Sequence, residues 1–114
     1  MTMLLPDPTW VDVCPLARLL PERGVAALVG GVQVAVFLMH DGVVHAIGNH
    51  DPFSGAAVLS RGIVGDRGGV PTVASPVYKQ VFDLRTGRCL DDPSVSVPVY
   101  PATVSAARLR VGIP

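Results

Sequence analysis

Two stretches decide the fold of this chain: DPFSGAAVLSRG at residues 51–62 and SPVYKQVFDLRTG at residues 75–87. Regular alternation of apolar and polar residues stops at Gly48 and returns at Ile63, so the first stretch is predicted to be a long loop. A loop of this length inside a compact domain is usually functional or a relic of function. The second stretch opens as a loop around Pro76 and continues into a short strand.

Short apolar segments separated by turn residues surround the two loops. The predicted strands cover residues 10–14, 24–29, 32–39, 43–47, 63–65, 70–75, 79–84, 95–99 and 108–111. Gly30-Gly31 and Asp41-Gly42 are typical of tight hairpin turns, and Pro98 places its strand at a sheet edge or a bulge. About nine or ten short strands at this spacing indicate an all-β fold, an antiparallel sandwich or barrel with two loop-bearing hairpins.

The composition limits the possible function classes. With 114 residues, 49% of them hydrophobic, the chain is predicted to form a single domain over residues 1–114, with residues 1–8 as a loosely ordered arm. The formal net charge of zero argues against a nucleic-acid partner. No apolar run approaches the roughly 20 residues that span a membrane. The first residues lack the pattern of an export signal, so a cytoplasmic location is expected.

The two loops resemble the ligand loops of the Rieske domain family. In that family the first loop runs Cys-Pro-His and on through Gly to Leu-Ser-x-Gly, and the second runs Cys-Pro-x-His before a Phe-Asp-Leu-x-Thr-Gly tail. The present chain keeps this frame at Pro52, Gly55, Leu59-Ser60, Gly62, Pro76, Phe82-Asp83-Leu84 and Thr86-Gly87. The resemblance covers residues 10–111 and implies a Rieske-like β fold.

Other residues occupy the four ligand positions of the Rieske pattern. The two Cys positions hold Asp51 and Ser75, and the two His positions hold Phe53 and Tyr78. A Rieske centre needs two thiolates on one iron and two imidazoles on the other. Phe53 has no donor atom, and a carboxylate is a hard oxygen ligand that cannot assemble such a site alone. We therefore expect no cluster and no other metal or cofactor on this chain.

A second set of matches narrows the resemblance. Asp-Pro-Phe, Val-Leu-Ser-Arg-Gly, Ala-Ser-Pro and Lys-Gln-x-Phe occur in this order at residues 51–53, 58–62, 74–76 and 79–82, followed by an acidic pair at residues 91–92. These segments resemble the small subunits of assimilatory NAD(P)H-dependent nitrite reductases. The resemblance implies an accessory subunit without an active site of its own. It also implies a large-subunit partner that carries FAD, an iron–sulfur cluster and sirohaem and reduces nitrite to ammonium.

Three side chains of the two loops are candidates for contact with that partner: Phe53, Tyr78 and Lys79. Exposed aromatic and cationic groups at loop tips suit interfaces, although a packed ring and a solvated ammonium explain the same residues. Phe53 is also expected to pack on Tyr78 in the space that a cluster would fill.

Two other functions stay open on the sequence alone. One is a Rieske-type [2Fe–2S] electron-transfer ferredoxin that carries a degenerate or unusual iron centre. The other is an interaction module that binds a different oxidoreductase. Iron analysis separates the ferredoxin from the accessory subunit, and the identity of the bound partner separates the module.

Overall fold

The computed structural model describes residues 8–114, which contain ten β-strands and two short 3-10 helices. The strands are β1 (Thr9–Pro15), β2 (Gly24–Val29), β3 (Val32–Leu38), β4 (Val44–Gly48), β5 (Ile63–Arg67), β6 (Val70–Ala74), β7 (Val81–Asp83), β8 (Val99–Tyr100), β9 (Ala102–Ser105) and β10 (Arg108–Ile113). The 3-10 helices cover Leu16–Arg18 and Leu59–Arg61. The all-β prediction is confirmed. The predicted N-terminal arm, apart from Pro8, lies outside the described residues.

These strands form three antiparallel sheets with the orders β1-β10-β9, β2-β3-β4-β8 and β5-β6-β7. The four-stranded sheet is the middle layer, because β3 contributes side chains to the core on both faces. Ala35 and Phe37 join an apolar cluster that contains Phe82 of β7, whereas Val34 and Val36 join a second cluster formed with β1 and β10. The nearly continuous apolar run of β3 is what a strand buried on both faces requires.

Paired glycines make two of the hairpin turns. Gly30 and Gly31 have φ angles of +54° and +81°, and the residues flanking them pair as the last rung between β2 and β3. Gly68 and Gly69 connect β5 to β6 in the same way, with φ angles of +61° and +88°. Positive φ at both central residues defines the favoured two-residue hairpin turn, and glycine adopts it without steric cost. The predicted hairpin at Gly30-Gly31 is confirmed.

Two strand assignments near the C-terminal end differ from the prediction. Of the predicted strand 95–99, only Val99 continues into a ladder, β8, at the edge of the middle sheet. Pro98 has no N–H to extend that ladder, although its carbonyl accepts the Gly48 N–H at 2.9 Å. Strand β9 is not predicted, because its exposed sequence ATVS gains its order from pairing with β10.

The terminal strands and the two loops lie on opposite sides of the middle sheet. β1 and β10 pair from Thr9 opposite Ile113 to Pro15 opposite Arg108, so the two strands run side by side in one outer sheet. The first loop follows β4 and places Leu59 in the cluster on the other side. No helix of residues 8–114 has the length and apolar character needed to cross a bilayer.

Candidate functional site

The first loop, residues 49–62, is held in shape by its own polar groups. Asn49 is buried, and its side-chain amide both donates and accepts a hydrogen bond. Its Nδ2 donates to the Ala57 carbonyl at 3.2 Å, and its Oδ1 accepts the Ser60 N–H at 2.8 Å. The Leu59 N–H donates to the Asn49 carbonyl at 3.1 Å. Asn49 therefore ties the beginning of the loop to its far end, so a stretch without regular strands keeps a defined conformation.

The second loop, residues 75–80, is a tight turn between β6 and β7. The Ser75 N–H donates to the Gln80 carbonyl at 2.9 Å, and the Lys79 N–H donates to the Ser75 carbonyl at 3.1 Å. Lys79 closes the turn with a φ angle of +67°, in the left-handed region that non-glycine residues rarely adopt. The turn leaves Tyr78 exposed at its outer end.

A buried carboxylate joins the two loops. The Ser75 hydroxyl donates to Asp51 Oδ2 at 2.5 Å, and both residues are fully buried. The same carboxylate oxygen accepts the Ser54 hydroxyl at 3.0 Å, and Oδ1 accepts the Phe53 N–H at 2.9 Å. The Ser75 oxygen in turn accepts the Val77 N–H at 3.2 Å. We call the hydrogen bond between Asp51 and Ser75 the interloop latch, because it connects the backbones of both loops.

The pKa of Asp51 lies below its ordinary value. Burial by itself raises the pKa of a carboxyl group, because it disfavours the charged form. Hydrogen bonds from the Ser75 hydroxyl, the Phe53 N–H and Ser54 outweigh burial here, because they stabilise the carboxylate. Asp51 is therefore ionised at neutral pH, and the hydrogen bonds that it accepts are of the stronger, charge-assisted kind.

Acid is expected to weaken the fold through Asp51. A carboxyl group whose pKa is lower in the folded chain stabilises the fold fully above its unfolded value, about 3.9. This stabilisation is lost as the pH falls through the folded value. We expect the free energy of unfolding to fall as the pH drops below about 5 and onward through the lowered pKa of Asp51, and to fall less in Asp51→Asn, which has no carboxyl group to protonate.

Urea unfolding at stepped pH measures this difference. Asp83 and Asp91 also have lowered pKa values and contribute equally to both proteins, so the comparison isolates Asp51. The same pH dependence in the two proteins would contradict the expectation.

Phe53 packs into the core and not on Tyr78. Its ring centroid lies 6.2 Å from that of Phe82, and the two ring planes are tilted by 54°, a usual arrangement for an aromatic pair. Phe82 is fully buried in the cluster between the middle sheet and β5-β6-β7. Tyr78 is 60% exposed. The predicted pair of Phe53 and Tyr78 is not formed, because the half-buried Phe53 ring packs against the apolar cluster of Phe82.

Exposed residues lie at the ends of both loops, close in sequence to the two residues of the latch. We define the loop-tip surface as Pro52, Val77, Tyr78 and Lys79, all of which are exposed. Ile63, 67% exposed, begins β5 next to the second loop and extends this surface. Tyr78 and Lys79 are exposed, and their contact with a partner stays a prediction.

Comparison with known proteins identifies the family. A family model for the Rieske-like [2Fe-2S] domain matches residues 9–112. The NADH nitrite reductase small subunit of Escherichia coli K12 is 47% identical over 96 residues, which are 83% of this chain and 89% of that protein. The chain belongs to the nitrite reductase small-subunit family of Rieske-like domains. The resemblance and the fold expected from the sequence are confirmed.

Solved structures of the small-subunit family agree with the fold. A crystal structure described as an NADH-dependent nitrite reductase small subunit from Mycobacterium tuberculosis is 57% identical and superimposes with a TM-score of 0.91. The superposition covers 94% of this chain and 96% of that one. The overall fold is therefore shared with that relative.

One relative of the small-subunit family carries the domain within a longer polypeptide. The Klebsiella oxytoca nitrite reductase [NAD(P)H] large subunit is 41% identical over 108 residues, which are 95% of this chain and 11% of that protein. In that relative, a segment similar to this chain is thus covalently part of the large subunit.

The side chains of this Rieske-like domain do not fit the family's cluster. Asp51 and Ser75, at the two thiolate positions, bind each other, and Phe53 offers no donor atom. Within the described range 8–114, no three His, Cys, Asp or Glu side chains are grouped so that they could hold a metal ion. The two thiolate positions nevertheless remain neighbours, as two ligands of one iron must be. This chain keeps the Rieske frame residues but carries other side chains at the four ligand positions.

Sequence reasoning missed the interloop latch and the aromatic partner of Phe53. It treats Asp51 as an isolated hard ligand and Ser75 as a lost one. A signal for the latch is present in the sequence, because one thiolate position carries a hydrogen-bond acceptor and the other carries a donor. Phe82 is recognised from sequence only as part of the family frame, although its ring is what holds Phe53.

Proposed function

We propose that this chain is the small subunit of a cytoplasmic assimilatory NAD(P)H nitrite reductase and that it acts by binding the large subunit. On this proposal the large subunit carries FAD, an iron–sulfur cluster and sirohaem and reduces nitrite to ammonium. The chain itself holds neither a cofactor nor an active site, works as one domain over residues 1–114, and binds no nucleic acid or membrane. The Klebsiella relative carries the proposal, because there the same domain is part of the large subunit.

The terminal strands lie where a covalent connection to a large subunit would not cover the loops. A segment that makes up 11% of the relative must be joined to the rest of the polypeptide at one end or both. In this chain β1 and β10 lie in the outer sheet, on the far side of the middle sheet from the loops. A connection at either terminal strand therefore leaves the loop-tip surface free for contact. One segment in one polypeptide also favours one small subunit for each large subunit.

Co-purification with the large subunit of the same organism tests the proposal. We expect an affinity-tagged large subunit to retain this chain in an equimolar complex, with all iron bound to the large subunit. A fully active large subunit that never binds this chain would overturn the proposed function. Iron that stays with this chain after anaerobic purification would overturn its cluster-free part.

Tyr78→Ala is expected to weaken binding to the large subunit by at least about tenfold, because exposed tyrosines at the centre of an interface are common hot spots. Thermal stability should change little, since the side chain is 60% exposed in the free chain. Trp10→Ala is the matched control, an aromatic residue of β1 that is 45% exposed and lies in the outer sheet, on the far side of the middle sheet from the loops. Titration calorimetry against the large subunit measures both variants, and equal affinities would remove Tyr78 from the interface.

A further inference from the structure

We infer that the interloop latch sets the loop-tip surface in its binding shape, taking over the bridging role that an iron atom has in cluster-bearing Rieske domains. In those domains two thiolates from different loops meet on one iron. Here the same two positions meet through the hydrogen bond from Ser75 to Asp51. The inference rests on the proposed function and makes Asp51 and Ser75 positioning residues for partner binding.

The latch is the polar connection between the two loops. Among the hydrogen bonds of residues 8–114, it is the one that joins residues 49–62 to residues 75–80. The other donors to Asp51, the Ser54 hydroxyl and the Phe53 N–H, belong to the first loop itself. Loss of the Ser75 hydroxyl therefore separates the loops while the first loop keeps its internal hydrogen bonds.

The latch ends directly beneath the exposed surface. In the first loop, Pro52 follows Asp51 in the chain, and the N–H of the next residue, Phe53, donates to the Asp51 carboxylate. In the second loop, the Ser75 oxygen accepts the N–H of Val77, the first exposed residue of that loop. One buried pair thus holds the backbone beside the exposed residues of both loops, Pro52 in the first loop and Val77 in the second.

Release of the latch is expected to lower affinity by reducing the fraction of molecules that hold both loops in the binding arrangement. Apparent affinity falls in proportion to that fraction. If about one molecule in ten keeps the arrangement without the latch, binding weakens by about tenfold.

The test compares Ser75→Ala with Ser54→Ala in binding to the purified large subunit. Both substitutions remove a hydroxyl that donates to Asp51 Oδ2, but only Ser75 bridges the loops. We expect a dissociation constant about tenfold higher for Ser75→Ala, a clearly smaller change for Ser54→Ala, and faster hydrogen exchange at the Val77 N–H in the first variant. If Ser75→Ala does not fold, Ser75→Cys, which fills the site with a much weaker hydrogen-bond donor, takes its place with the same expectations.

Two controls separate positioning from stability. Ser94→Ala removes a hydroxyl that donates to Asp92 Oδ1 at 2.6 Å in an exposed turn, and it should leave affinity unchanged. Val111→Ala creates a void in the fully buried cluster on the other side of the middle sheet, and it should lower the melting temperature without lowering affinity. Equal affinities of Ser75→Ala and Ser54→Ala for the large subunit would overturn the inference. So would a loss of affinity with Val111→Ala in proportion to its loss of stability, because binding would then follow stability alone. A wild-type chain that does not bind at all overturns the proposed function instead.

Discussion

Asp51→Ala is expected to lower the free energy of unfolding by on the order of 3 kcal/mol. The substitution leaves the Ser75 hydroxyl, the Ser54 hydroxyl and the Phe53 N–H without the acceptor that they share in the folded chain. A buried donor without a partner costs about 1–3 kcal/mol, and hydrogen bonds to a charged group lie at the upper end. For a domain of this size, the melting temperature should fall by about 12–20 °C.

Asp66→Ala is the matched control for this prediction. Asp66 is also a carboxylate that accepts a backbone N–H, from Gly69 at 3.2 Å, but its turn is exposed and water replaces the lost acceptor. Its cost should stay below about 1 kcal/mol. Urea unfolding of both variants at neutral pH measures the two values. A loss with Asp51→Ala as small as that with Asp66→Ala would show that the buried carboxylate does not hold the loops.

Gly87→Ala is expected to destabilise the fold by about 2–5 kcal/mol, from two sources. Gly87 has a φ angle of +78°, which costs an alanine roughly 1–2 kcal/mol. A Cβ at this position would also overlap the Val97 carbonyl oxygen and lie 2.9 Å from Val99 Cγ2. The backbone cannot move away easily, because the Gly87 carbonyl accepts the Val97 N–H and the Gly87 N–H donates to Asp83, both at 2.8 Å.

Gly68→Ala separates the cost of the positive φ angle from the cost of the steric overlap. Gly68 has a similar φ angle of +61°, but a Cβ there meets no atom within 4 Å. We therefore expect only the conformational cost of about 1–2 kcal/mol. Thermal unfolding of the two variants, with circular dichroism as the signal, gives the difference. Equal destabilisation would mean that the segment around Val97 shifts to accommodate the methyl group.

Steric demands of this kind explain why the Rieske frame outlasts the cluster ligands. A Cβ on Gly62, another frame residue, would overlap the Ala74 carbonyl oxygen, and Gly55 needs its φ angle of +75° to turn the first loop. The frame residues thus serve the fold itself, whether or not a metal is present. In this chain the ligand positions also serve the fold, since Asp51 and Ser75 bridge the loops and Phe53 packs against Phe82.

Several features of this chain depend on local sequence alone and could be predicted from it. Gly30-Gly31 specifies its hairpin because positive φ is a property of the residues in the turn. The misfit of Asp51, Phe53, Ser75 and Tyr78 to an iron–sulfur cluster follows from the identity of their donor atoms. The all-β fold follows from short alternating segments and from the family frame, which is read residue by residue.

Only the tertiary structure decided which side chains of the two loops contact each other. Asp51 and Ser75 are 24 residues apart, and no local rule brings a carboxylate in one loop to a hydroxyl in another. Phe53 turns to Phe82 and away from Tyr78 because the core lies on that side. The sequence by itself determined that the loops exist and lack cluster ligands, since both depend on local backbone preference and side-chain chemistry. The latch depends on the packing of three sheets, which fixes the distance between residues that the sequence keeps apart.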